Sequence, residues 1–164
     1  MKIYLASSWR NEDQPAVLAA LRAAGHRVYD FRHPVPGNEG FSWKQVDLDC
    51  DEHGLVTIAA LKQAHAHPLA EHGFKYDFNA MKDAEACVLL LPSGRSAHLE
   101  AGWMAGQGKR VFTLLLGDQQ VEPELMYKVF DDGLYDTVDG LLTMLPSPDL
   151  GCGFRQWDRV RYRG

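Results

Sequence analysis

Cysteine is scarce in this chain, with three in 164 residues. Cys50, Cys87 and Cys152 follow neither a zinc-site spacing nor a redox-pair spacing. Cys87 lies inside an apolar run and reads as a buried thiol, and a reducing cytoplasm is the expected compartment. Long hydrophobic runs are missing: none approaches the length that spans a bilayer, and Met1–Tyr4 reads as the start of a strand rather than a signal peptide. No membrane is therefore expected as a partner. Positive charge is also short. The formal net charge is −5, and the basic residues are scattered until the C-terminal tail. A duplex binder carries a basic face, so no nucleic-acid polymer is expected as a partner. There is no Gly-x-Gly-x-x-Gly fingerprint, no internal repeat, no linker and no low-complexity segment.

What is present is an alternation of short apolar runs and helical patterns. Residues 2–6 read as a buried strand. Asn11 then offers an N-cap with Gln14 in the capping-box position, Pro15 falls in the first turn, and residues 15–24 form a helix stopped by Gly25. Residues 26–31 are a second strand, and 32–42, with two prolines, a long loop of the kind that is often functional. Residues 55–70 have helical composition interrupted near His67-Pro68, and 74–84 form a further short helix with apolar residues at Phe74, Phe78 and Met81. Residues 86–91 are a strand, 99–107 the helix after it, and 110–116 another strand buried on both faces. Helices are expected at 122–130, opened by Pro123, and at 137–145. Strands alternating with helices imply a single-domain α/β fold over residues 1–150. The expected architecture is a doubly wound (flavodoxin-like or Rossmann-like) five-stranded parallel sheet flanked by helices. Residues 151–164 form a basic, aromatic tail.

In such a sheet, ligands bind at the carboxyl ends of the strands. Two strand ends carry suitable residues. After the first come Ser7, Ser8, Trp9 and Arg10: backbone amides there suit a phosphate or ribose, and Arg10 suits a phosphate, although ordinary turn residues have the same look. After the third come Ser93, Gly94, Arg95 and Ser96, then Glu100 on the first turns of a helix. The helix dipole is expected to hold Glu100 ionised, as a carboxylate nucleophile requires. Arg95 is on the wrong end of that dipole, which either a bound anion or solvent would resolve. Glu100 is flanked by Leu99, Ala101, Gly102 and Trp103, so it is either buried with a partner or facing a pocket. Asp77 and Asp83 precede the third strand; Asp77 is placed to reach the strand tips or to stand in solvent, and Asp83 reads as a turn residue. His98 either lines the pocket or is exposed. His65, His67 and His72 cluster around Pro68 without a metal-site spacing, so they read as loop histidines and no metal is expected.

Together these residues resemble the nucleoside 2-deoxyribosyltransferase superfamily, which includes the 2′-deoxynucleoside 5′-monophosphate N-glycosidases. Three stations carry the resemblance in order: Lys2-Ile3-Tyr4 leading to Ser8-Trp9-Arg10; the Asp77 helix running into Asp83-Ala84; and Ser96-Ala-His-Leu-Glu100-Ala-Gly102. The resemblance implies that Glu100 attacks the anomeric carbon of a nucleoside or nucleotide, releasing the base, and that water or a second base completes a retaining double displacement. It makes Tyr4 the residue that orients the nucleophile, and Trp9 and Asp77 the residues beside the base. Ser8-Trp9-Arg10 matches the turn that monophosphate hydrolases use on the 5′-phosphate, and Ser93 or Ser96 stands for their loop serine. Trp9 and Asp77 are transferase-like and Arg10 hydrolase-like, while Gly94-Arg95-Ser96 departs from both patterns. The resemblance further implies a small-molecule substrate, no cofactor, and a homodimer or higher homo-oligomer in which a neighbour completes the site, with residues 124–127 and the tail as donors. Two other readings are open: a nucleotide-binding or sensing module without turnover, and an NAD-type glycohydrolase, against which the missing glycine fingerprint argues.

Overall fold

The computed structural model describes residues 1–145 except 49, 52, 53 and 131; the tail at 151–164 lies outside the described residues. Five parallel strands, β1 (Lys2–Ala6), β2 (Arg27–Tyr29), β3 (Ala86–Leu91), β4 (Arg110–Leu115) and β5 (Leu134–Tyr135), form one sheet in the order β2-β1-β3-β4-β5. The helices are α1 (Gln14–Ala23), α2 (Ile58–His65), α3 (Pro68–Asp83), α4 (Arg95–Gly106) and α5 (Val138–Met144). This is the expected doubly wound architecture. The winding reverses between β1 and β3, and the crevice of such a sheet opens at their carboxyl ends. Among the described residues no helix is long and apolar enough to cross a membrane.

Alternate strand residues feed two separate cores. Ile3, Leu5, Val88, Leu90, Phe112 and Leu114 pack with Val17 and Leu21 of α1 and Leu141 of α5. Tyr4, Cys87, Leu89 and Val111 face the other way, onto Met81 of α3 and Ala97, Ala101 and Met104 of α4. All six residues of β3 are buried, as a central parallel strand requires. Burial of each leucine there stabilises the fold by about 2 kcal/mol. The register aligns Tyr29, Tyr4, Cys87 and Val111 in one row across four strands, so all four project from the same face.

Several local expectations give way to tertiary contacts. Asn11 does not cap α1: the N-cap is Asp13, without a side-chain bond. Asn11 instead accepts from the Asp13 amide and donates to the Pro92 carbonyl at 3.1 Å, tying the β1 loop to the β3 loop. Gln14 is buried and donates to Asp30 at 3.0 Å, so it is lost to capping as well. Gly25, at φ 85°, does end α1. Residues 74–84 are not a separate helix. Pro68 opens α3, and the His67 ring accepts from the Leu69 amide. The helix then continues through Gly73, where a Cβ would lie 2.6 Å from the Cβ of Phe41. The expected α-helix at 122–130 is replaced by a 3₁₀ segment, Leu125–Val129, capped by Glu124. Leu125 and Met126 are 73% and 63% exposed, so no core face sustains a longer helix there. The helix after β3 starts at Arg95 rather than at 99.

Candidate functional site

Tyr4, Asp77 and Glu100 come from β1, α3 and α4 and meet on one face of the sheet, near enough to act on one another's charge. Tyr4 is fully buried, and its ring stacks on Tyr29 with centroids 5.4 Å apart and planes 15° from parallel. The Tyr29 hydroxyl donates to Asp77 Oδ1 at 2.8 Å. An aromatic series closes the side between the two helices: Phe74 stacks on Phe78 at 5.2 Å, and Phe78 meets Trp103 at 5.0 Å.

Burial dominates the electrostatics of this cluster. The Glu100 carboxyl is pushed up to about 7, first by desolvation and then by the neighbouring Asp77 charge, while Tyr4 opposes the rise. Asp77 is pushed up to about 6 by desolvation, opposed by the Tyr29 hydroxyl. Both tyrosines are raised well above the ordinary phenol value, mainly by burial. The expectation that the helix dipole holds Glu100 ionised is thus corrected. Because α4 starts at Arg95, Glu100 lies in the second turn, where the dipole has faded and desolvation outweighs it. The Tyr4 hydroxyl is buried and has no hydrogen-bond partner of good geometry among the described residues. It still faces Glu100 closely enough to act on that carboxyl as a donor, and in this way it opposes the rise.

The two loops at the switch point are tied together. Ser7 Oγ donates to the Leu90 carbonyl at 3.1 Å, parallel to the Asn11–Pro92 bond. Ser8 Oγ accepts from the Arg10 amide at 3.1 Å. Arg10 is exposed, and its guanidinium has no partner among the described residues. Trp9 is half exposed; its ring meets Phe31 edge-on at 5.3 Å and lies over Gly40, where a Cβ would come within 2.9 Å of it. After β3 the loop is short, because Gly94 is already the N-cap of α4. Arg95 and Ser96 are therefore helical residues of the first turn, both exposed. Ser93 Oγ lies 3.4 Å from His98 Nδ1. His98 does not stand free. Its Nδ1–H faces the Gly94 carbonyl at 2.8 Å, which fixes the tautomer, and Nε2 accepts from the Tyr127 hydroxyl at 2.8 Å.

Beside Asp77, the loop at 31–45 stands off α3 and encloses a cleft of about 360 Å³ lined by Phe31, Asn38, Phe41, His72, Tyr76 and Asp77, among others. Asp77 thus belongs both to this cleft and to the Glu100 cluster. Of the three histidines around Pro68, His67 caps α3, His65 packs against Trp43 at 5.4 Å, and His72 lines the cleft. Among the described residues no group of three metal-ligating side chains forms a metal site. Tyr29 and Arg32 were not singled out from the sequence, and Tyr127 only within the 124–127 segment expected to reach a neighbour's site, not as the partner of His98. Tyr29 had one usable signal, since a tyrosine in β2 opposite Tyr4 projects onto the same face. Arg32 and Tyr127 had none, because their partners lie far along the chain.

Neither a family model nor a curated protein matches the sequence. Among solved structures, the chain is similar to a 2-deoxyribosyltransferase from the psychrotolerant bacterium Bacillus psychrosaccharolyticus. The identity is 22%, the TM-score 0.52, and the match covers 92% of this chain and 100% of that one. It is also similar to the CMP N-glycosidase BcmB of Clostridium botulinum, at 14% identity and a TM-score of 0.49, over 87% of this chain and 96% of that one. The chain therefore has the fold that the resemblance implied, that of a 2-deoxyribosyltransferase.

Proposed function

We propose that this chain cleaves the N-glycosidic bond of a (deoxy)nucleoside or its 5′-monophosphate by a retaining mechanism with Glu100 as nucleophile. The observation that carries the reading is the pair of desolvated carboxyls, Glu100 and Asp77, set beside the switch point of the sheet. The Glu100 carboxylate attacks the anomeric carbon as the C–N bond breaks, and the departing base takes its proton from Asp77. The glycosyl ester is then attacked at the same carbon by water or by a second base. Asp77 takes the proton of the incoming group, and Glu100 leaves as a carboxylate. Two adjacent carboxyls that titrate near neutrality share one proton. With Glu100 raised above Asp77 the proton rests mainly on Glu100 in the free chain, and the reactive form, Glu100 ionised and Asp77 protonated, is the minor tautomer. The chemistry as written balances without a cofactor.

Tyr4 orients the nucleophile in this reading. The base occupies the Asp77 end of the cleft beside Phe31, Phe41 and Tyr76, with Trp9 on its border. Ser8, Arg10, Ser93, Gly94, Arg95 and Ser96 surround the sugar and its 5′ substituent, where the Arg10 and Arg95 guanidinium groups, without partners among the described residues, and the α4 N-terminus favour a phosphate. The reading extends to a homo-oligomer in which a second copy covers the exposed Leu125 and Met126. Sedimentation of the purified chain measures that state directly.

The test is to incubate the full chain with nucleosides and 5′-monophosphates, with and without a second base, and to follow free base and exchanged product by chromatography. Base release or exchange is expected from the wild type, and none from Glu100→Gln, which still binds nucleotide. Full activity in Glu100→Ala would overturn the mechanism. Saturable binding by the wild type with no base released would replace the enzyme by a sensing module.

A further inference from the structure

The cleft beside Asp77 is longer than a base. On the α3 side Leu69, His72, Gly73, Tyr76 and Asp77 line it, and their spacing puts them on one helix face. From Leu69 to Asp77 the helix rises about 12 Å at about 1.5 Å per residue. A purine with its glycosidic nitrogen at the Asp77 end covers half of that at most. Four covalent bonds of about 1.4 Å each separate N9 from a substituent atom on C6, so the far edge lies within about 6 Å. That edge reaches Gly73, about 6 Å along α3 from Asp77. Past it the cleft continues to His72 and Leu69, and Leu69 is 45% exposed.

The opposite wall is fixed along the same course. Arg32 Nη2 donates to the carbonyls of Ser8 at 2.9 Å, Trp9 at 3.1 Å and Asn11 at 2.8 Å, which holds the turn carrying Trp9. Gly40 lies against the Trp9 ring, and Phe41 rests on α3 at Gly73. Trp43 then meets Phe41 at 5.0 Å and His65 of α2 at 5.4 Å. The loop thus crosses from the β1 turn to α2 with a contact at each stage, and the cleft under it is pre-formed. Gln45, which also lines it, has its amide spent on the loop. Its Oε1 accepts from the Ser42 amide and its Nε2 donates to the Gly40 carbonyl, both at 3.3 Å. What the far half offers a ligand is the Leu69 hydrocarbon and the Phe41 and His72 rings, a surface for an apolar or aromatic group.

We propose that the Leu69 end of the cleft is a subsite for an apolar substituent on the base, and that the preferred substrates are purine (deoxy)nucleosides or their 5′-monophosphates carrying such a group at position 6. This rests on the function proposed above and extends it. The base fills the Asp77 end, and its substituent leaves the ring edge at Gly73 and runs over Leu69. Two fused rings fill the stretch from Asp77 to Gly73 more fully than one ring does.

The experiment is calorimetric titration of the full chain with 2′-deoxyadenosine and N6-benzyl-2′-deoxyadenosine, each as nucleoside and as 5′-monophosphate, with free base followed in parallel by chromatography. Wild type is compared with Leu69→Asp and Leu69→Ala. Aspartate is favoured in the first turn of a helix, so Leu69→Asp keeps α3. Wild type is expected to bind the benzyl compound about tenfold or more tighter, as burial of its ring against Leu69 requires. Leu69→Asp is expected to remove that advantage and Leu69→Ala to reduce it by about threefold or more, with the unsubstituted compound changed by less than about twofold in both. Equal or weaker binding of the benzyl compound by wild type overturns the subsite, while base release from 2′-deoxyadenosine or its monophosphate still upholds the enzyme. An advantage that survives both substitutions, or an equal loss for both compounds, overturns the subsite as well. A benzyl advantage abolished by Leu69→Asp, with no base released from any compound, upholds the subsite and overturns the enzyme. Binding of none of the four overturns both.

Discussion

The Tyr29 hydroxyl donates to Asp77 Oδ1 at 2.8 Å while the Tyr29 ring lies stacked on Tyr4. One tyrosine thus links the residue that faces Glu100 to the carboxyl whose charge raises it. The hydrogen bond favours the ionised form of Asp77 and works against the desolvation that raises it. Tyr29→Phe keeps the stacking and removes the bond. The Asp77 carboxyl is then expected to titrate about one pH unit higher than about 6. Carbon NMR of the labelled carboxyl reads this directly, and an unchanged titration would remove Tyr29 from the site.

Asp77→Asn tests the other side of the pair. The Asp77 charge is one cause of the raised Glu100 pKa, so its removal should bring Glu100 down from about 7 toward the ordinary carboxylate range. The acid limb of kcat/KM should move to lower pH as the nucleophile ionises earlier. The maximal rate should fall by about 10²–10⁴ because the leaving base has lost its proton donor. A rate loss with no movement of the limb would mean that the two carboxyls do not sense each other.

Stability should carry the same signature. Glu100 goes from 4.5 unfolded to about 7 folded, and Asp77 from 3.8 to about 6. Between these values the folded chain binds more protons than the unfolded one, so stability falls as pH rises. The loss begins above about 4 and is complete just above about 7, and Glu100 accounts for up to about 3 kcal/mol of it. Urea midpoints at pH 5 and pH 8 should therefore differ in the wild type, and differ much less in Glu100→Gln. A wild-type midpoint that does not fall between these pH values would contradict the burial of the pair.

Gly73→Ala isolates the packing of the long loop on α3. Alanine is favoured over glycine in a helix by about 1 kcal/mol, but here its Cβ would sit 2.6 Å from the Phe41 Cβ. Overpacking of that kind costs about 1–3 kcal/mol, so net destabilisation is expected together with a displaced Phe41 and an altered cleft. Gly102→Ala, where nothing lies within 4 Å of the added carbon, should instead stabilise by about 0.5–1 kcal/mol. Thermal melts of the two variants should move in opposite directions.

Residues 2–6, 86–91 and 110–116 were legible as strands because period and apolar content are local, and the structure places β1, β3 and β4 there within a residue. The expected number of strands was right, but β5 is only Leu134–Tyr135, too short to leave a pattern. The α4 start escaped because Gly94 provides no capping side chain to mark it. The 125–129 segment escaped because helical composition does not make a helix when no core face receives it.

The sequence by itself determined the order of strands and helices and offered candidate positions: Glu100 from its apolar flanks after the third strand, and Tyr4, the Ser8–Arg10 turn and Asp77 through the family resemblance. Only the tertiary structure decided the rest. It paired Tyr29 with Asp77 across 48 positions, sent Asn11 and Gln14 away from the cap they resemble, and bound three carbonyls to Arg32. It also raised to about 7 the Glu100 carboxyl that the dipole was expected to hold low. The physical reason is common to all of these. A hydrogen-bond partner and a desolvated environment are supplied by residues distant in the chain, and their effect exists only when the sheet brings them within a few ångströms.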